Sequence, residues 1–209
     1  MNHYREYVGY IEDFEETGLQ VFNFLLDHGL QPNHRFLDIG CGCLRIGRHI
    51  IPYLDKNNYH AIEPAKEIID EAIKNEILDE IIQEKNPVFT HQSDFSFGID
   101  NFDFVLAYDV FYHCGKSQLE QCLRNLHLIC KPKTKIFISV MWSNTILEES
   151  KKGLYQYKHS SHSNVWYTTD EFMGIASKNG YKCMEINENE IYFFGCRIIY
   201  LLEPLARMI

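Results

Sequence analysis

The stretch Phe36-Leu37-Asp38-Ile39-Gly40-Cys41-Gly42-Cys43 decides the fold: a short apolar run carrying one acid passes straight into two glycines spaced one residue apart. Glycine has no Cβ to collide and adopts positive φ, so such a turn lets the backbone pass close to a bound ligand. A nucleotide-like cofactor is the first implication. Downstream, Ile46, Ile50, Tyr53 and Leu54 recur at helical spacing across residues 44–54, which joins a buried strand to a helix packed on a sheet. Strand, glycine turn and helix together open a doubly wound α/β fold.

Working outward, Phe22, Leu25 and Leu26 mark a helix from near Thr17 to Gly29, and Tyr59 to Ile62 reads as a second strand ending at Glu63-Pro64. Pro64 suits the first turn of a helix faced by Ile69, Ala72, Ile73 and Ile77, because the amide it lacks has no partner there anyway. A short strand around residues 87–90 and a buried central strand over Phe102 to Ala107 come next. Ser117 with Glu120 has the spacing of a capping box and opens a helix lined by Leu119, Cys122, Leu123, Leu126 and Cys130. After a strand over residues 135–141, Thr168 with Glu171 repeats the capping pattern and Gly180 closes that helix. Two last strands, near residues 181–186 and 191–202, are close enough to pair as a hairpin.

With 209 residues, 45% hydrophobic and 14% aromatic, the chain can bury one substantial core and little more. A single domain over residues 1–209 is expected, with residues 1–30 as a helical cap. Seven cysteines contain no Cys-x-x-Cys pair and read as reduced thiols of a cytoplasmic protein. No stretch approaches the roughly 20 apolar residues of a membrane helix. The formal charge of -9, from 20 basic and 29 acidic residues, repels a phosphate backbone over most of the surface, which argues against nucleic acid.

The run Asp38-Ile39-Gly40-Cys41-Gly42 after an apolar strand resembles the first motif of the class I (Rossmann-like) S-adenosylmethionine-dependent methyltransferases, in their small single-domain bacterial form. The nicotinamide fingerprint wants a third glycine where Arg45 stands, and Leu44 occupies a position that the methyltransferase family often fills with glycine. The resemblance implies a doubly wound, mostly parallel seven-stranded sheet with an antiparallel C-terminal strand and helices on both faces. It also implies S-adenosyl-L-methionine as cofactor and S-adenosyl-L-homocysteine as product.

Residue by residue, the resemblance places the cofactor against Asp38, Gly40, Cys41 and Gly42, with Glu63 at the end of the second strand accepting from the ribose hydroxyls; the alternative is that Glu63 is a solvated acid capping the helix that starts at Pro64. Asp94 would accept from the adenine amino group and Phe95 would wall the ring; the alternative is that Ser93-Asp94 is turn chemistry. Arg45 would meet the methionine carboxylate or an anionic acceptor, or else form a surface ion pair. The segment Tyr108-Asp109-Val110-Phe111-Tyr112-His113 follows the central strand, where open α/β sheets bind ligands. His113, with an unperturbed pKa of about 6.5, is the first candidate for a general base. Tyr112 is its hydrogen-bonding helper and Tyr108 a cofactor neighbour; alternatively His113 only orders the loop.

Residues 142–167 hold Tyr155, Tyr157, His159, His162, Trp166 and Tyr167 and suit an acceptor-binding lid. Two histidines without a third ligand do not make a zinc site. Tyr4, Tyr7 and Tyr10 have helical spacing and either close over the cofactor or pack. No Asn/Asp-Pro-Pro-aromatic motif and no Pro-Cys pair is present, which disfavours base, glutamine and cytosine C5 methylation. A small-molecule acceptor methylated on oxygen or nitrogen remains, a sugar, surface-glycan or secondary-metabolite precursor being one example. The rivals are a catalytically inert partner subunit of the same fold and, further off, an NAD(P)-dependent reductase.

Overall fold

Every residue of β1 (Phe36–Ile39) and β2 (Tyr59–Ile62) is buried, the pattern of parallel strands covered on both faces rather than an amphipathic edge. The computed structural model describes residues 4–8, 13–98, 101–143, 165–186 and 197–205. The chain divides into two compact units, residues 1–93 and 94–209.

In the first unit the strand order is β3-β2-β1, all parallel, where β3 is Val88–Thr90. Phe36 lies opposite Tyr59 and Ile39 opposite Ile62, while His60 meets Val88. The helices are α1 (Phe14–Asp27), α2 (Gly47–Tyr53), α3 (Lys66–Glu76) and α4 (Asp79–Lys85), preceded by a 3-10 turn at Tyr4–Val8. α1 begins before Thr17 because Phe14 is itself fully buried. α2 begins later than its apolar spacing suggests, because Leu44 has φ 61 and stays outside the helix. This is the position the resembled family often gives to glycine. The backbone keeps the left-handed conformation, which costs a non-glycine residue roughly 1–2 kcal/mol, and full burial of the leucine side chain offsets it by about 1.5–3 kcal/mol.

In the second unit the order is β4-β5-β8-β7, with a two-residue β6 (Trp166–Tyr167) on β5. β4 (Phe102–Ala107) and β5 (Cys130–Trp142) are parallel, whereas β8 (Arg197–Pro204) runs antiparallel to both β5 and β7 (Tyr181–Ile186). β7 and β8 therefore pair as the expected hairpin. Alternating strands and helices, parallel apart from β8, give the Rossmann-like α/β fold. β5 starts earlier than residue 135 because a register shift lets Phe102 pair with Cys130 and Phe104 with Lys135. Buried Thr134 fills that irregularity, accepting from the Lys131 amide at 2.9 Å and donating to the Phe102 carbonyl at 2.6 Å.

α5 (Lys116–Ile129) opens on Gly115, not on Ser117: the Gly115 amide donates to Gln118 Oε1 at 3.0 Å. Glu120 instead faces Arg124 and Lys178 at 3.5 and 3.4 Å. α6 (Thr169–Lys178) has the expected box, with Thr168 Oγ1 accepting from the Glu171 amide at 3.2 Å. Gly180, at φ 86, ends it.

Gly47 is confined by the junction of β2 and α2: a Cβ there would lie 2.5 Å from the Tyr59 hydroxyl and 3.0 Å from Leu44 Cδ2. Gly47→Ala is expected to destabilise the protein by about 1–3 kcal/mol in urea unfolding. In a Tyr59→Phe background, where the obstructing oxygen is gone, the same substitution should cost clearly less.

Candidate functional site

Glu63 sits just past the end of β2, only 4% exposed, with its carboxylate turned toward the glycine turn. Its Oε2 accepts the Gly42 amide at 3.1 Å, and its Oε1 accepts both the Ala65 amide and the Tyr7 hydroxyl at 3.0 Å. The backbone bond to Ala65 leads into α3, yet the acid is not a solvated cap: it is a buried acceptor fixed by two main-chain donors. His91 Nδ1 lies 2.9 Å from the Glu63 carbonyl and pins the other side of the residue.

Gly42 has φ +52, and a Cβ there would lie 2.5 Å from Val8 Cγ1. Arg45 is 9% exposed, which removes the surface ion-pair reading; its Nη1 donates to the Val8 carbonyl at 3.0 Å. Gly42, Arg45 and Glu63 are thus brought together, all three against the Tyr4–Val8 turn. Tyr10 lies outside the described residues.

Asp38, within β1, is 3% exposed, and its Oδ2 accepts the Tyr59 hydroxyl at 2.7 Å. Burial pushes its carboxyl up to about 7, the Tyr59 bond pulls it down, and the charge of Glu63 pushes it up further. Burial also raises the thiols on either side of Gly42: Cys43 is pushed up to about 12 and Cys41 well above its usual value. Both therefore stay protonated and are poor nucleophiles near neutrality. Gly40 donates its amide to the Ile62 carbonyl at 2.7 Å, which ties the turn to β2.

In the second unit, Asp94 is exposed and Oδ1 accepts from the Ser96 amide at 3.0 Å and the Ser96 hydroxyl at 2.7 Å. Those bonds hold its carboxyl below the usual range. The turn reading is thereby present in the geometry. Phe95 follows at φ 56, an unusual conformation for a bulky side chain, and is buried with its ring 6.0 Å from that of Phe111. Two side chains of α5 hold this turn by its carbonyls: Gln121 Nε2 to Asp94 at 3.1 Å and Asn125 Nδ2 to Phe95 at 2.9 Å. Neither stands out in the sequence, because both are polar positions on a helix whose apolar face carries the obvious signal.

Tyr108 is buried at the end of β4, and Asp109 follows at φ 60 with its amide donated to Ser139 Oγ at 2.7 Å. Tyr112 and His113 are half-buried, with ring centroids 4.6 Å apart at 64°. His113 belongs to a turn, its amide donating to Val110 at 3.0 Å, and α5 starts only at Lys116. The Tyr112 carbonyl accepts the Val165 amide at 3.0 Å. Tyr155, Tyr157, His159 and His162 of the expected lid lie outside the described residues. Tyr167 is core, edge-on to Phe172 at 5.9 Å. Among the described residues no group of three or more His, Cys, Asp or Glu is placed to hold a metal ion.

Residues 37–136 match the family model of the methyltransferase domain. The chain is similar in fold to DhpI in its S-adenosylhomocysteine complex, with TM-score 0.69 and 14% identity over 98% of this chain and 92% of that one. Magnesium protoporphyrin IX methyltransferase from Synechocystis PCC 6803 with bound S-adenosylmethionine gives 0.61 and 15% over 91% and 79%. The glycopeptide N-methyltransferase MtfA complexed with S-adenosylmethionine gives 0.66 and 10% over 90% and 94%. Among the described residues no helix is long and apolar enough to cross a membrane.

Asp38 yields a signed pH dependence. Its folded-state value near 7 lies above the ordinary 3.8, so the stability carried by its protonated form is complete below about 4 and is lost as pH rises toward 7. Relative to wild type, Asp38→Asn should gain stability in urea unfolding at pH 8, and the difference should shrink steadily on acidification to pH 5.

Proposed function

From the premise that the chain belongs to the class I (Rossmann-like) S-adenosylmethionine-dependent methyltransferases, we propose that it methylates an oxygen or nitrogen of a small-molecule acceptor. The observation that carries this reading is the buried Glu63 carboxylate held 3.1 Å from the Gly42 amide. An acid fixed at the end of β2 against the glycine turn after β1 suits a ribose diol, whose two hydroxyls need acceptors and cannot use donors alone. The residues fit the cofactor on chemistry as well as position. Gly42 has no Cβ, Glu63 is desolvated, and Arg45 offers a buried cation for a carboxylate.

S-adenosylmethionine, when bound, supplies a sulfonium-activated methyl carbon open to in-line displacement. The chain has to hold it, align the acceptor and remove a proton. In this reading Gly40, Cys41 and Gly42 give close backbone approach, Asp38 supports that turn from behind, Glu63 takes the ribose and Arg45 the methionine carboxylate. Asp94 and Phe95 recognise adenine, and Tyr108 borders the cofactor. His113 accepts the acceptor's proton and Tyr112 orients it through their ring contact. We read residues 1–209 as one methyltransferase domain, with the family match running from one compact unit into the other. The net charge of -9 favours a small acceptor over nucleic acid.

Calorimetric titration with S-adenosylmethionine, S-adenosylhomocysteine, NADH and NADPH tests the reading. Micromolar binding of the sulfur ligands alone is expected. Absence of any binding would put the inert partner subunit first, and a nicotinamide preference would replace the assignment with a reductase. Gly42→Val should abolish S-adenosylhomocysteine binding, since the positive φ opposes a side chain there and a branched one would intrude where the cofactor needs close backbone approach. With an acceptor found by screening, His113→Ala should leave cofactor affinity within about twofold and slow transfer by roughly 10²-fold or more; equal turnover would remove His113 as the base.

A further inference from the structure

Three groups assigned to the cofactor are already engaged by one short segment, Tyr4–Val8. Tyr7 donates its hydroxyl to Glu63 Oε1 at 3.0 Å, as a ribose hydroxyl would. Val8 Cγ1 lies 2.5 Å from where a Gly42 Cβ would be, so it fills the space that glycine leaves for a ligand. The Val8 carbonyl accepts from Arg45 Nη1 at 3.0 Å, in place of a ligand oxygen. A carboxylate oxygen has about two acceptor sites, and Glu63 Oε1 gives both to Tyr7 and Ala65. A two-point grip on a ribose diol therefore requires the Tyr7 hydroxyl to leave.

The segment is tethered beside the turn. Arg5 reaches Glu76 through Nε at 2.5 Å and Nη2 at 2.8 Å, with Tyr4 on the same carboxylate, and Arg48 Nη1 joins it at 2.9 Å. Arg5 and Arg48 also meet Glu15 at 3.1 and 2.9 Å, and their guanidinium carbons lie 4.3 and 5.4 Å from the Phe14 ring centroid. Burial of Glu76 pushes its carboxyl up, but the bonds from Arg5, Tyr4 and Arg48 outweigh burial and hold it below the usual range.

We propose that Tyr4–Val8 is a strap that competes with the cofactor for Glu63, Gly42 and Arg45, and that cofactor binding displaces Tyr7 and Val8 from the turn. The proposal rests on the methyltransferase reading above. The Arg5 and Glu76 tether keeps the strap at high effective concentration, so it recloses whenever the product leaves and sets both affinity and exchange.

S-adenosylhomocysteine is titrated calorimetrically into full-length wild type, Tyr7→Phe and Val8→Ala, and hydrogen exchange of residues 4–8 is followed with and without saturating ligand. Tyr7→Phe should bind about tenfold more tightly, the size of one hydrogen bond to a charged acceptor, and Val8→Ala should also bind more tightly. Saturating S-adenosylhomocysteine should speed exchange of the strap amides. Equal or weaker binding by Tyr7→Phe, or slower strap exchange with ligand, overturns the strap while leaving the methyltransferase reading intact. Failure of wild type and both variants to bind overturns both together.

Discussion

The bond from the Gly42 amide to the buried Glu63 carboxylate, at 3.1 Å, is the constraint around which the first unit is organised. It fixes the turn after β1 against the residue after β2. A buried carboxylate is costly unless it is met by donors, and here two backbone amides meet it. Every neighbour accommodates that pair: Gly42 adopts positive φ, Leu44 accepts a left-handed backbone in exchange for full burial, and Gly47 stays small beneath Tyr59. Asp38 lies one bond further back, with Tyr59 as partner, and is raised by the same burial and by the charge of Glu63.

Electrostatics in this unit follow a division of labour. The acids that face the turn are held by neutral donors: Asp38 by a phenol, Glu63 by two amides and a phenol. The guanidinium pairs gather instead on Glu76 and Glu15. Pairing of that kind is weak support for stability in itself, but it specifies geometry. A neutral hydroxyl on Glu63 can be exchanged for another neutral hydroxyl, whereas a guanidinium there would make any diol a poor competitor.

The second unit builds its turns by a different device. Phe95 and Asp109 both occupy left-handed backbone conformations at φ 56 and 60, and each is held by a side chain from a regular element, Asn125 of α5 for the first and Ser139 of β5 for the second. Strained turns persist where their surroundings over-determine them. Here the over-determination comes from polar side chains of a helix and a strand.

The strand positions β1, β2, β4 and β7, the capping box at Thr168, the stop at Gly180 and the terminal hairpin were all legible in the sequence, because hydrophobic period and turn chemistry are local properties. So was the pairing of a glycine turn with an acid at the end of the next strand, and with it the resemblance that agrees with the methyltransferase-domain match over residues 37–136. The start of α2, the bulge that lengthens β5 and the Gly115 opening of α5 were not legible, since each is set by what a side chain buries or bonds across the chain. The same holds for the partners of the site residues. Spacing put Tyr7 on a helical face with Tyr4 and Tyr10, but only tertiary structure laid its hydroxyl on Glu63 across 56 positions of sequence. The sequence determined which chemical groups the protein carries and the order of its elements; the folded chain decided which of those groups are buried, and so which donor each acid holds.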